Sequence, residues 1–314
     1  MNTDFLWVEQ YRPKTIDDCI LPDSLKSLFS AFVKKGEISN MLFSGTAGIG
    51  KTTVAKALCN QMNCDWIMIN GSEEGGIDVL RNKIKNFAST VSFNTESKHK
   101  VVIIDEADYM NAESVQPALR NFIETFYKNC RFILTCNYPY KFIEPLRSRF
   151  TQIDFKIVNG QKVKTATSFL NRLGKILDEQ EVSYDKKVLA ELIQKHYPDF
   201  RKTINELQRY SVNGKIDSGI FYNSKEADIK SLFASLKKKD FNETRKWVVN
   251  NLSVAPNDLF RIIYDSAKEY LQPSSTPQAI LLLAGYQYKS AFVADQEINM
   301  VACLTEIMAT CKFK

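Results

Sequence analysis

The chain has 314 residues, 44% of them hydrophobic, with 42 basic against 36 acidic side chains and a formal charge of +6. That is enough for two or three domains with ordinary cores, and too balanced a composition for a collagenous, disordered or disulfide-stapled chain. The small basic excess permits an anionic partner without requiring one. Met1-Asn2-Thr3-Asp4 opens no secretory leader, and no run approaches the roughly 18 apolar residues of a membrane span. A soluble, cytoplasmic protein with no membrane partner is expected. Seven cysteines, at 19, 59, 64, 130, 136, 303 and 311, form no C-x-x-C pair, and beside only two histidines they read as scattered reduced thiols.

Residues 5–22 keep no clear period and are interrupted by Pro13 and Pro22. Their aromatic and apolar side chains need cover, so the segment should lie across the body of the first domain. A helix is expected at 23–35. Met41-Leu42-Phe43-Ser44 then reads as a strand, followed by the turn Gly45-Thr46-Ala47-Gly48-Ile49-Gly50-Lys51-Thr52-Thr53 and the helical run Val54-Ala55-Lys56-Ala57-Leu58. Gly45, Gly50, Lys51 and Thr52 fit G-x-x-x-x-G-K-[ST], whose glycines let backbone N–H groups curl around phosphate oxygens. The helix start aims its partial positive charge at the same anion. Lys51 should reach the β/γ-phosphates and the Thr52 hydroxyl should ligate Mg²⁺, so the chain is expected to bind a nucleoside triphosphate.

Trp66–Asn70 is the next strand candidate. A helical run at 77–88 gathers positions 77, 80, 84, 87 and 88 on one face, with Arg81 and Lys85 together on the other. Such a pair is either a solvated surface or a phosphate contact. Val101-Val102-Ile103-Ile104 runs into Asp105-Glu106-Ala107-Asp108, as expected of a buried parallel strand with its functional end outward. Asp105 is placed to hold Mg²⁺ and Glu106 to polarise an attacking water.

A helix at about 112–127 carries Gln116 and Arg120, and a strand at 131–137 ends in Asn137. That asparagine could bond a γ-phosphate or the attacking water, or simply form the turn before Pro139. A short helix within 143–150 precedes a last strand at 151–155. From 158–160 onward the pattern is helical, with segments at 161–180, 186–196, 199–212, 227–237, 240–250, 256–271, 276–290 and 294–310. The run Ile280-Leu281-Leu282-Leu283-Ala284 suits a core or packing helix. The fold class is α/β followed by all-α: a parallel-sheet nucleotide-binding domain over 1–157, a helical lid over 158–227 and a helical domain over 228–314.

Four stretches resemble sliding-clamp loader ATPase subunits. Trp7-Val8-Glu9-Gln10-Tyr11-Arg12-Pro13 is similar to W-x-E-K/Q-Y-R-P, and residues 70–81 to N-x-S-D-E-R-G-I-x-x-V-R. Ser148-Arg149-Phe150 resembles Ser-Arg-Cys, with Phe150 replacing the cysteine, and 198–208 resembles G-D-x-R-x-x-x-N-x-L-Q. The resemblance covers about residues 7–212 and weakens beyond; it is to the replication factor C small subunits and, on Cys19-Ile20-Leu21-Pro22 and residues 198–204, most to the large subunits of T-even phage clamp loaders.

It implies an AAA+ P-loop domain with a lid and a C-terminal helical collar for oligomerisation. ATP would have its adenine covered by Tyr11, Arg12 and Pro13, Asn137 would be sensor 1, and Arg201 would be sensor 2 against the γ-phosphate. Arg149 would be an arginine finger reaching the next subunit's site, with Arg147 a rival; such a finger is worth roughly 10³–10⁵ in rate. The helix bearing Arg81 and Lys85 would face DNA, and Gln116 and Arg120 would couple nucleotide, neighbour and DNA. Gly75 and Gly76 depart from the family, which carries a basic residue in that turn.

The implied partners are primer–template DNA, a sliding clamp, further copies of this chain and a distinct clamp-loader subunit. The implied function is opening the DNA polymerase clamp and placing it on DNA, with ATP hydrolysis triggering release. Another AAA+ DNA motor, for branch migration or helicase loading, and a non-hydrolysing structural subunit are the rival readings. Asp-Glu-Ala-Asp also spells a helicase box, but no second motor domain accompanies it.

Overall fold

Five short strands, β1 (Met41–Ser44), β2 (Trp66–Asn70), β3 (Lys100–Asp105), β4 (Cys130–Cys136) and β5 (Thr151–Asp154), form one parallel sheet in the order β2-β3-β4-β1-β5. The central runs Met41–Phe43, Val101–Ile104 and Phe132–Leu134 are fully buried, because parallel sheets carry helices on both faces. Alternation along β1 serves both layers. Phe43 packs with Phe29 and Phe155 on one side, and Leu42 with Leu80, Ile84 and Leu119 on the other. The first layer is closed by α2 (Asp23–Lys35) and α3 (Lys51–Gln61), the second by α4 (Ile77–Ser89) and α5 (Val115–Phe126).

All strands being parallel, their carboxyl ends share one edge of the sheet. In register, Ser44 lies beside Cys136 and Asp154, and Asn70 beside Asp105. The chain leaves β1 there, at the point where strand order reverses, which is where open α/β sheets leave a crevice.

The computed structural model describes residues 5–73, 76–90, 99–157, 159–212, 214–217, 220, 229–252 and 254–314. Two compact units result, Met1–Ser218 and Gly219–Lys314. Gly75 lies outside the described residues, while Gly76 precedes α4 in an extended conformation.

The first unit also holds α7 (Lys162–Glu179), α8 (Lys186–His196) and α9 (Phe200–Ser211). Asp185 and Asp199 cap α8 and α9, accepting from the Lys187 and Lys202 amides at 2.8 and 2.9 Å. A two-residue parallel pair, β6 (Ser183–Tyr184) with β7 (Lys215–Ile216), joins this region, too short to show any period in the sequence.

Two expectations need adjustment. Segment 5–22 contains one helical turn, α1 (Trp7–Gln10), before it runs irregularly and buries Ile16, Cys19 and Leu21 against the first layer. The helix expected from 112 begins at Val115, because Asn111 Oδ1 accepts from the Glu113 and Ser114 amides and turns the chain first.

The second unit is a bundle of α10 (Ile229–Lys238), α11 (Phe241–Asn251), α12 (Pro256–Tyr270), α13 (Thr276–Ser290) and α14 (Gln296–Thr310). Leu232, Leu236, Val248, Ile263, Cys303 and Leu304 are at its centre. In the apolar run at 280–284, Leu283 turns inward while Leu281 is 69% exposed. Among the described residues no helix is long and apolar enough to cross a membrane. All seven cysteines are buried thiols, and burial pushes Cys19, Cys136 and Cys303 up to about 12.

Candidate active site

The loop between β1 and α3 wraps the Lys51 side chain. Lys51 is 8% exposed, and its ammonium donates to the carbonyls of Gly45 and Thr46 at 2.8 and 2.9 Å and to Asn137 Oδ1 at 2.9 Å. Burial pushes the ammonium down from the usual lysine range, with Asp105 and Asp108 pulling the other way. One donor thus joins the phosphate-type loop to the end of β4.

Asp105, at the end of β3, accepts on Oδ1 from Thr52 Oγ1 at 2.6 Å and from Thr135 Oγ1. Thr135 Oγ1 also accepts from the Glu106 amide. Glu106 itself sits at φ 51°, the left-handed region that costs a non-glycine residue about 1–2 kcal/mol, with its side chain exposed beside the cleft. A hydroxyl and a carboxylate in direct contact are the hard oxygen set that suits Mg²⁺ held partly by phosphate and water. The residues present fit that ion.

From the other side, α9 closes on the loop. The Phe200 amide donates to Gly48 O at 3.1 Å, and a Cβ on Gly48, which has φ +72°, would overlap the Asp199 carboxylate. Arg201 follows immediately and lines the same cleft.

The cleft encloses about 1080 Å³ out to its open mouth. One end is polar, built from Lys51, Thr52, Thr53, Asp105, Glu106, Asp108, Asn137 and Arg201; Ala47, Gly48, Ile49 and Gly50 form its floor. The far end is mainly apolar, with Val8, Tyr11, Pro13, Cys19, Ile20, Phe169 and Ile204, and Arg12 and Arg172 beside them. Arg12 is anchored by Thr53 Oγ1 at 2.9 Å and paired with Glu9, whose carboxyl the Arg12 hydrogen bond holds below its usual range. A pocket polar at one end and apolar at the other matches a triphosphate and a flat base.

The model of the "ATPase family associated with various cellular activities" matches residues 41–157. That of the "sliding-clamp-loader large subunit, AAA+ ATPase lid domain" matches 161–222. The chain is 40% identical over 242 residues to the sliding-clamp-loader large subunit of Enterobacteria phage T4, covering 76% of this chain and 75% of that one. It belongs to the sliding-clamp loader family. The corresponding subunit of Escherichia phage RB69 is 36% identical over 282 residues, covering 83% and 87%. The replication factor C small subunit of Saccharolobus solfataricus is 32% identical over 319 residues, covering 97% and 94%. A Holliday junction branch migration motor of Thermotoga maritima shares the fold, with a TM-score of 0.54 and 18% identity over 72% of this chain and 78% of that one.

In this clamp-loader chain the remaining predicted residues are not part of the cleft lining. Gly45 and Thr46 face Lys51 through their carbonyls and do not line it. Arg149 pairs with Glu124 at the surface, and Arg147 is exposed. Gln116 is 1% exposed and fully engaged: its amide donates to Met110 O and Lys141 O at 3.2 and 3.1 Å, and its Oε1 accepts from the Ile143 amide at 2.8 Å. It ties the loop after β3 to the chain entering α6 (Glu144–Arg147), two residues ahead of Arg149. Arg120 has a buried Nε that finds no partner among the described residues. Arg81 and Lys85 are exposed on α4, and Arg81 is 3.7 Å from Asp78. Phe150 is buried in the second layer, so the ring replacing a cysteine is a packing element.

Beside Arg172 and the apolar wall residues, two contributors at the polar end are absent from the sequence-based site. Asp108 is 4% exposed, accepts on Oδ2 from the Asn137 and Tyr138 amides at 3.3 and 3.2 Å, and leaves a buried Oδ1 without a partner among the described residues. Its place in Asp-Glu-Ala-Asp was the available signal. Thr135 was visible only as a polar residue inside an apolar strand.

Proposed function

We propose that this chain is the ATP-hydrolysing subunit that opens a sliding clamp, closes it around primer–template DNA and lets go on hydrolysis. The observation that carries the reading is the convergence of Lys51, Thr52, Asp105, Asn137 and Arg201 on one cleft while Arg149 stays outside it. In this reading Lys51 and the loop amides hold the β/γ-phosphates, and Thr52 and Asp105 hold hydrated Mg²⁺. When bound, the metal neutralises charge on the β- and γ-oxygens. Glu106 orients and polarises the attacking water, and Asn137 fixes it or the γ-phosphate.

Arg201 reads the γ-phosphate from the lid, and Arg149 reads that of the neighbouring copy. A site completed by two subunits favours their association while the triphosphate is intact and loosens it afterwards. Arg81 and Lys85 would track DNA phosphates, each neutralised phosphate adding about −0.9 to the log–log salt slope on duplex. Gln116 and Arg120 would relay between these sites, and residues 228–314 would form the collar joining subunits in the cytosol of a bacterial host.

The test is steady-state ATP hydrolysis by the chain with its distinct partner subunit, adding clamp and primer–template DNA separately and together. Strong stimulation only by both supports loading. Hydrolysis indifferent to the clamp would overturn it in favour of a branch-migration or helicase-loading motor, and no hydrolysis would make the chain a structural subunit.

A further inference from the structure

The segment over the apolar end of the cleft has two footings. Its middle belongs to the sheet domain: Ile16 is 1% exposed in the first core layer, and its amide donates to Gln61 Oε1 at 2.8 Å. Its flanks belong to the lid. Arg172, on α7, donates from Nη2 to Tyr11 O at 2.8 Å and from Nη1 to Asp18 O at 3.0 Å. Gln180 donates to the Tyr11 hydroxyl at 2.7 Å. Gln208, on α9, accepts from the Trp7 amide at 2.9 Å and donates to Phe5 O at 2.7 Å.

We infer that Arg172 is a positioning residue that makes the base pocket part of the lid. Its guanidinium fork spans two carbonyls seven residues apart in the chain, one on each terminal nitrogen, where a lysine would have to bring both to a single nitrogen. Arg12 and Pro13 lie between the two carbonyls that Arg172 holds, and Tyr11 carries the first of them, so the wall that meets the base is fixed by the lid as well as by the sheet-domain contacts of Arg12 and Ile16. The same lid touches the phosphate loop through Phe200 and Gly48. Recognition of the base and recognition of the phosphates thus set one element, α7 with α9, from its two ends. A bound base holds the lid where Arg201 meets the γ-phosphate.

This inference rests on the cleft being a nucleotide site, and the experiment separates the two claims. The full-length protein is titrated with ATP and, separately, with inorganic tripolyphosphate, following heat of binding; wild type, Arg172→Ala, Arg172→Lys and Gln208→Ala are compared. Wild-type binding of ATP tests the underlying site, and its absence would overturn both claims. With that binding present, Arg172→Ala should weaken ATP by about tenfold or more, since two hydrogen bonds from a charged donor are lost, while tripolyphosphate affinity changes less than about twofold. Arg172→Lys should recover only part of the loss, and hydrolysis should show a raised KM with a smaller change in kcat. Unchanged ATP affinity in Arg172→Ala, or equal losses for ATP and tripolyphosphate, would overturn the inference. Should Arg172→Ala fail to fold, Gln208→Ala, which frees the outer end of the segment, carries the same comparison.

Discussion

Arg149 lies against Glu124, its Nε 3.0 Å from Oε1 and its Nη2 meeting the same oxygen, so the candidate finger is parked on its own subunit. The side chains are 33% and 53% exposed, and an exposed pair is worth about 0–1 kcal/mol. Glu124 therefore holds the arginine without trapping it. In the assembled complex Arg149→Ala is expected to lower ATP hydrolysis by about 10³-fold or more, and Glu124→Gln to change it by less than about fivefold. Steady-state rates with clamp and DNA present check both; an inactive Glu124→Gln protein would assign the carboxylate a part in the chemistry.

Gly48→Ala should separate the phosphate loop from α9. The added methyl meets the Asp199 carboxylate and occupies a left-handed backbone, so ATP affinity should fall by about tenfold or more. Asp199→Ala in the same chain should restore part of that affinity by removing the obstruction, at a cost of about 1 kcal/mol in stability from the lost α9 cap. Fluorescent-nucleotide titrations check the order wild type, double variant, Gly48→Ala. No recovery in the double variant would place the defect entirely in the loop backbone.

Asp108→Ala takes from the Asn137 and Tyr138 amides, which sit in half-buried and exposed residues, the carboxylate that both donate to, costing about 1–2 kcal/mol. The melting temperature should drop by roughly 2–4 °C per kcal/mol. Because Asn137 also accepts from Lys51, kcat should fall by about tenfold or more with KM within about twofold. An unchanged kcat in a destabilised protein would confine Asp108 to a structural part.

The buried pair of His196 and Glu206 in the lid gives a pH dependence. Burial pushes His196 down from its usual range, outweighing the pull of Glu206. Below about pH 6.5 the unfolded chain binds a proton that the folded chain refuses, so stability falls as pH drops until the folded-state value is passed. His196→Gln should flatten that part of the profile. Urea midpoints from about pH 5.5 to 7.5 test it, and equal slopes in the two proteins would refute it.

The sheet was legible because buried parallel strands are short, continuous apolar runs, and the glycine-lysine-threonine turn told where the chain leaves β1. Lys51, Thr52 and Asp105 could be placed together since the strand ends share an edge. Arg172 could not: its partners are backbone carbonyls 161 and 154 residues away, and backbone leaves no mark in a sequence. Glu124 was hidden for a similar reason, as one acidic residue on a solvated helix face. The start of α5 was misplaced because Asn111 captures two amides that a helix would otherwise begin with.

The burial of all seven thiols has a practical side. A maleimide reacts with exposed thiolate, and here core packing withholds the sulfur of all seven, while at Cys19, Cys136 and Cys303 a raised pKa withholds the charge as well. The native chain is thus its own cysteine-less background: one cysteine introduced on the outer face of α7 and another on α4 would accept a dye pair, and lid movement could be followed by energy transfer without first rebuilding the core.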